Sequence, residues 1–198
     1  FIIAGASIRG VPAQTPEQYL SNLGKAVHYS VPPPTAMVLC YPSNPTAYVA
    51  DLDFYRDVVA FAKKHDIFIL SDLAYSEIYF DDVPPPSILQ VPGARDIAVE
   101  FTSLSKTYSM PGWRVGFCVG NPTMVNALVR IKSYLDYGTF TPIQVAAITA
   151  LEGPQECVQE IRDMYQKRRD VLCDGINKRF VHTVNELCGE AMGLHSPS

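Results

Sequence analysis

The sequence predicts an α/β protein: a mostly parallel sheet with helices on both faces. Three observations point to it. The runs Ala36–Cys40, Ile67–Leu70, Ile97–Phe101 and Val115–Val119 are short and nearly all apolar, as buried parallel strands are. Stretches with helical periodicity separate or follow them. The most distinctive polar residues, Asn44, Asp72 and Ser103 to Lys106, each come just after a strand. Open α/β sheets bind ligands beyond that carboxyl edge.

Composition narrows the field. The chain has 198 residues, enough for one domain with a real core, or one and a part. Hydrophobic residues make up 47% and charged residues 18%, the balance of a globular protein. Net charge is −4 and the basic residues are dispersed, so no nucleic-acid surface is expected. No apolar run reaches the roughly 20 residues that cross a bilayer, and no signal peptide opens the sequence. The five cysteines (Cys40, Cys118, Cys157, Cys173, Cys188) are odd in number and none are at CxxC spacing, which suits a reducing, cytoplasmic compartment. The four histidines are too scattered to predict a metal site.

Taken in order, Phe1–Ala6 begins inside an apolar run, as if continuing something already under way. Thr15-Pro16-Glu17 supplies a cap, a proline at the first helical position and an acid in the first turn, predicting a helix to about Val27. Val31-Pro32-Pro33-Pro34 is a connector. Asp51 caps a helix whose Tyr55, Val58, Val59 and Ala62 form one apolar stripe. Asn121-Pro122 starts a helix to about Tyr134, Thr141-Pro142 caps another through Leu151, and Gly153-Pro154 starts a long one. Along that last helix Val158, Ile161, Tyr165, Leu172 and Ile176 lie opposite Glu160, Asp163, Lys167 and Asp170. Such an apolar face needs a partner, and the helix suits a link between domains. From about Arg179 the periodicity ends.

Each candidate site residue has an ordinary reading beside a chemical one. Lys106 follows Ser103-Leu104-Ser105 and precedes a run of hydroxyls and aromatics that contains no carboxylate. A loop lysine is ordinarily a solvated charge. Desolvated without an acid partner, its pKa falls, the condition for an amine nucleophile that forms a Schiff base. The planar fork of Arg114 can hold two phosphate oxygens, and a serine hydroxyl can donate to a third. A salt bridge for Arg114 and loop caps for Ser103 and Ser105 are the plain alternatives. Asp72, at the end of an apolar strand, would balance a cation such as a protonated pyridine nitrogen, or cap a turn. Tyr75 and Asn44 could both hydrogen-bond a phenolate oxygen, while Asn44-Pro45 alone is a turn signal.

Together, Tyr41-Pro42-Ser43-Asn44-Pro45-Thr46, then Ser71-Asp72-Leu73-Ala74-Tyr75, then Ser103-Leu104-Ser105-Lys106 with Gly112-Trp113-Arg114-Val115-Gly116, resemble the fold-type-I aminotransferases of classes I and II. These use pyridoxal 5′-phosphate. The resemblance covers Phe1 to about Gly175. The stretches VPGARDIAVEF, RIKSYLDYGTFTPIQVAAITALEG and YQKRRDVL resemble the bacterial alanine (glutamate–pyruvate) and LL-diaminopimelate branch.

The resemblance implies amino transfer between an amino acid and a 2-oxo acid, with alanine and 2-oxoglutarate as the pair. It makes Lys106 the Schiff-base lysine and proton shuttle, sets Asp72 on the pyridine nitrogen, and sets Tyr75 and Asn44 on the phenolic oxygen. Ser103 and Arg114, assisted by Ser105, would hold the phosphate. It also implies a homodimer whose interface runs near Tyr137–Thr141. The domains would be 1–153, a partial cofactor-binding large domain; 154–180, a linker helix; and 181–198, an unmatched tail. By the resemblance, the family's N-terminal portion is expected before Phe1, and its C-terminal small domain, with the arginine that clamps the substrate carboxylate, after Ile176. Ala47 stands where the family commonly has glycine. The same cofactor residues serve carbon–sulfur lyases and synthases. A shortened relative could also bind cofactor, or a full-length partner, without turnover. The residues alone leave those alternatives open.

Overall fold

A computed structural model describes residues 1–12 and 15–188. Helix α1 (Pro16–His28) opens as its sequence predicts: the Thr15 side chain accepts a hydrogen bond from the Gln18 amide, and Pro16 fills the first position, where no donor is needed. Strand β1 (Ala36–Cys40) leads through a loop to α2 (Leu52–Lys64), where Asp51 caps by accepting from the Phe54 amide at 2.8 Å. The stripe Tyr55, Val58, Val59 and Ala62 is buried throughout. Asp66, with a left-handed φ of 56°, turns the chain into β2 (Phe68–Asp72). β3 (Ala98–Ser103) passes directly into a single-turn helix, α3 (Leu104–Thr107), and β4 (Gly116–Gly120) follows. Three helices complete the described chain: α4 (Pro122–Leu135), α5 (Thr141–Glu152) and α6 (Glu156–Cys188).

The four strands lie in the order β1-β2-β3-β4. The first three are parallel and β4 is antiparallel to β3. That reversal follows from the connection between β3 and β4, which holds only single helical turns, whereas a parallel return needs a full crossover. Two glycines let the strands close. A Cβ on Gly116 would lie 2.5 Å from the Thr102 carbonyl oxygen, and one on Gly120 would lie 2.3 Å from that of Ala98. β2 and β3 also extend past the apolar runs, taking in Ser71, Asp72, Thr102 and Ser103. Ladder bonds use the backbone, so pairing continues where side chains turn polar.

The core forms where α1 and α2 meet one face of the sheet, around Met37, Leu39, Ile69 and Ala98, with Ile88 packed among them. On the other face Val99 is buried, but Val38 is 51% and Phe68 44% exposed. Two expectations at helix ends need correction. Thr141 does not cap α5: it is the first helical residue, and Phe140 holds the cap position with no side-chain bond. Helix α6 does not end where its apolar period does near Arg179 but runs on to Cys188, so 181–188 of the expected tail are helical. Residues 189–198 of that tail lie outside the described residues. Of the apolar stripe expected on α6, Val158 is buried, while Tyr165, Leu172 and Ile176 are exposed. No described helix is long and apolar enough to cross a membrane.

Candidate active site

The sheet register lines up the three loops. Cys40, Asp72 and Phe101 are side by side, so the chain leaves β1 and β2 at one level, and β3 ends just beyond at Ser103. In the first loop a turn is closed by the Ala47 amide on the Ser43 carbonyl (2.7 Å) and the Ser43 amide on the Tyr48 carbonyl (2.9 Å). Ala47 takes a left-handed φ of 58° there, which glycine adopts without strain. Asn44 sits in this turn, and its Nδ2 donates to the Tyr75 hydroxyl at 3.3 Å.

Tyr75 is carried by the second loop. The Leu73 amide donates to the Phe101 carbonyl at 2.8 Å, and the Asp72 carboxylate accepts from the Ala74 amide at 3.1 Å. In the third loop the Ser103 hydroxyl accepts from the Ser105 amide at 3.1 Å and so caps α3, whose one turn bears Lys106. The Lys106 Nζ lies 5.6 Å from the centroid of the Tyr75 ring. The Leu104 amide donates to the Val115 carbonyl at 3.2 Å, and Ser103 pairs with Gly116, which brings Arg114 to the same corner. Arg114 donates from Nη1 to the Pro111 carbonyl at 3.0 Å, and its other donors are unused among the described residues. Next to it is an apolar pocket of about 450 Å³ lined by Pro111, Trp113, Phe140 and Ile143.

The structure thus joins Asn44, Tyr75 and Lys106 in one chain of contacts. Asp72, Ser103, Ser105 and Arg114 lie on the same loops or beside them, and among the described residues the hydrogen bonds of Asp72, Ser103 and Arg114 go to backbone groups rather than to that chain. Some plain readings hold as well: Asp72 caps a turn and Ser103 caps a helix. The salt bridge weighed for Arg114 is not formed with any described residue. The desolvation expected of Lys106 is not supplied by these residues either, because Lys106, Asp72, Asn44 and Arg114 are exposed and Tyr75, Ser103 and Ser105 half-buried. The cause is local. In the single turn of α3 the inward positions go to Leu104 and Thr107, and Lys106 is left exposed.

Sequence reasoning missed Glu100 and two arginines. Glu100 is 6% exposed, and accepts from the Ser87 hydroxyl at 2.7 Å and the Ile88 amide at 3.1 Å. Burial pushes its carboxyl up from the ordinary value, against those bonds, which pull it down. An acid inside an otherwise apolar strand run was a readable signal. Arg162 and Arg169 reach from α6 to the loop beyond Tyr75. They had no local signal, since Arg162 and its partner Glu77 are 85 positions apart.

Among the described residues, an amine, a carboxylate without an ion-pair partner, an amide–phenol pair and a guanidinium with spare donors share one open edge. That donor set fits a phosphorylated aromatic aldehyde: an amine for the aldehyde, a fork and hydroxyls for the phosphate, a carboxylate for a ring cation. Comparison with known proteins agrees. The chain belongs to the class I and II aminotransferase family, whose model matches residues 1–188, further than the sequence motifs alone reach. Class I and II aminotransferases of this fold use pyridoxal 5′-phosphate.

Among relatives, the chain is 61% identical over 178 residues to the putative aminotransferase AatC of Rhizobium meliloti, covering 90% of this chain and 44% of that protein. It is 55% identical over 177 residues to the glutamate-pyruvate aminotransferase AlaC of Escherichia coli, covering 89% and 43%. The LL-diaminopimelate aminotransferase of Moorella thermoacetica is 43% identical over 181 residues, covering 91% and 46%. The aromatic aminotransferase structure from Pyrococcus horikoshii superposes with a TM-score of 0.76 at 27% identity, covering 85% of this chain and 45% of that one. The chain therefore spans less than half the length of the curated relatives it matches.

Proposed function

We propose that this chain forms the cofactor floor of an aminotransferase that moves the amino group of alanine to 2-oxoglutarate. The observation that carries the proposal is the contact chain Asn44–Tyr75–Lys106 at the carboxyl edge. Asn44 donates to the Tyr75 oxygen, which leaves the phenol's own O–H free to donate to a ligand oxygen. Lys106 is the amine nucleophile and carries the proton to and from the substrate α-carbon. Asp72, its carboxylate steadied by the Ala74 amide, meets the cationic ring nitrogen. Arg114, Ser103 and Ser105 hold the phosphate. When bound, pyridoxal phosphate supplies the electron sink that lets that proton leave.

The substrate pair is suggested by the name of the glutamate–pyruvate relative. The four described free cysteines suit the cytoplasmic setting read from the sequence. We also propose a homodimer meeting near Tyr137–Thr141, and α6 as the helix that leads from the large domain. The test of function is product analysis with L-alanine, 2-oxoglutarate and added pyridoxal phosphate. Pyruvate and glutamate formed one for one support transamination. Ammonia with a keto acid and no glutamate shows lyase chemistry instead, and no product at all shows a chain that does not turn over.

A further inference from the structure

We propose that Arg162, seconded by Arg169, is a positioning residue for Tyr75: helix α6 acts as a splint that holds the phenol in place against Lys106. This assignment rests on the aminotransferase reading of Tyr75 and Lys106. Tyr75 is carried by a strap, 73–87, that contains neither strand nor helix. Its two ends are tied to β3, by the Leu73 amide on the Phe101 carbonyl (2.8 Å) and the Ser87 hydroxyl on Glu100 (2.7 Å). Between Tyr75 and Ser87, the hydrogen bonds that reach the strap from elsewhere among the described residues all come from α6.

The grip has two points. Arg162 donates from Nε to the Glu77 carbonyl and from Nη2 to the Glu77 carboxylate, both at 3.1 Å, and its guanidinium lies 3.8 Å from the Tyr79 ring centroid. The Arg162 side chain is only 11% exposed and that of Glu77 43%, so the guanidinium is shielded from solvent while the carboxylate is partly open to it. Arg169 grips Asp81 with two bonds of 2.7 and 2.8 Å, and the Asp81 amide donates to Gln166 at 3.1 Å. Residues 162, 166 and 169 share one helix face by their spacing. The residue leading into α6 reaches the other half of the floor: the Tyr108 hydroxyl, just past Lys106, donates to Gln155 at 2.8 Å.

Apolar packing holds the strap at its start only: of residues 73–87, Leu73 alone is buried. A cleft of about 960 Å³ lies between α6 and the sheet, with Glu77, Glu100, Tyr108, Gln155 and Arg162 among its walls. Of the helix's apolar stripe, Val158 alone is buried. With so little apolar contact, the charge-assisted bonds decide where the strap sits. Glu77 is close to Tyr75 in the chain, and the Ile78 amide donates to the Tyr75 carbonyl at 3.2 Å, so displacing Glu77 displaces Tyr75. The groups facing Tyr75 are Asn44 and Lys106, with Asp72 at the foot of the loop.

The experiment uses Arg162→Gln, Arg162→Lys and Arg169→Gln. In the cofactor-free protein, Arg162→Gln should speed amide hydrogen exchange over 74–82 by about tenfold or more, with α2 unchanged. With pyridoxal phosphate bound, the pH midpoint of the visible absorbance should rise, because a displaced Tyr75 no longer stabilises the ligand's phenolate oxygen. Arg162→Lys keeps the charge, loses the fork and should shift both readouts the same way; it also serves if the glutamine variant fails to fold. Arg169→Gln should give the smaller change. Unchanged exchange over 74–82 overturns the clamp. Faster exchange with an unmoved midpoint overturns the positioning of Tyr75. A wild-type protein that takes no borohydride-fixed cofactor on Lys106 overturns the functional reading and the positioning role with it, and the exchange arm, read without cofactor, tells the two failures apart.

Discussion

Glu100 carries a carboxyl group into the sheet face that α2 covers, in the row it shares with Leu39 and Ser71. Burial raises its folded-state pKa above the ordinary value of 4.5, so the folded chain favours the protonated form. The unfolded chain then releases this proton first as pH rises. Glu100's contribution to stability is present in full below the unfolded pKa and is lost as pH climbs through the folded one. Denaturant unfolding of wild type and Glu100→Gln at several pH values should therefore show wild-type stability falling relative to the variant as pH rises from 4.5. A difference that stays flat across that range contradicts the account. At this scale the sequence placed Asp72, Tyr75 and Lys106 at or just past strand ends, and the structure has them there. Their exposure was not legible, because it depends on which side of one helical turn faces the core.

At the scale of elements, caps and stripes carried most of the information. Thr15 and Asp51 cap where an oxygen-bearing side chain precedes a periodic run. Thr141 looked like a third such cap, yet Phe140 takes the position, since the Pro142 ring suits either of the first two helical positions. The α4–α5 connection exposes Tyr134, Leu135, Tyr137 and Phe140, with Tyr137 at 92% and Phe140 at 69%. Large exposed apolar side chains this close in the chain suit an interaction surface. If copies of the protein meet there, sedimentation should show a dimer that Tyr137→Asp combined with Phe140→Asp converts to monomer. A dimer that both changes leave intact would move the interface elsewhere.

For the whole molecule, the parallel order of β1, β2 and β3 and the convergence of three loops follow from apolar strands alternating with a helix and polar residues at their ends. The reversal of β4 does not, because it depends on how little structure connects it to β3. The α6 clamp was equally invisible, since it joins residues 85 and more positions apart. The central claim is that this edge takes pyridoxal phosphate on Lys106, and one measurement meets it directly. Pyridoxal phosphate is added to the protein, borohydride is applied, and the labelled peptide is mapped. The account predicts a visible absorbance band and a cofactor adduct fixed on Lys106, both absent from Lys106→Ala. An adduct that survives in Lys106→Ala, or one mapped to a different lysine, would contradict it.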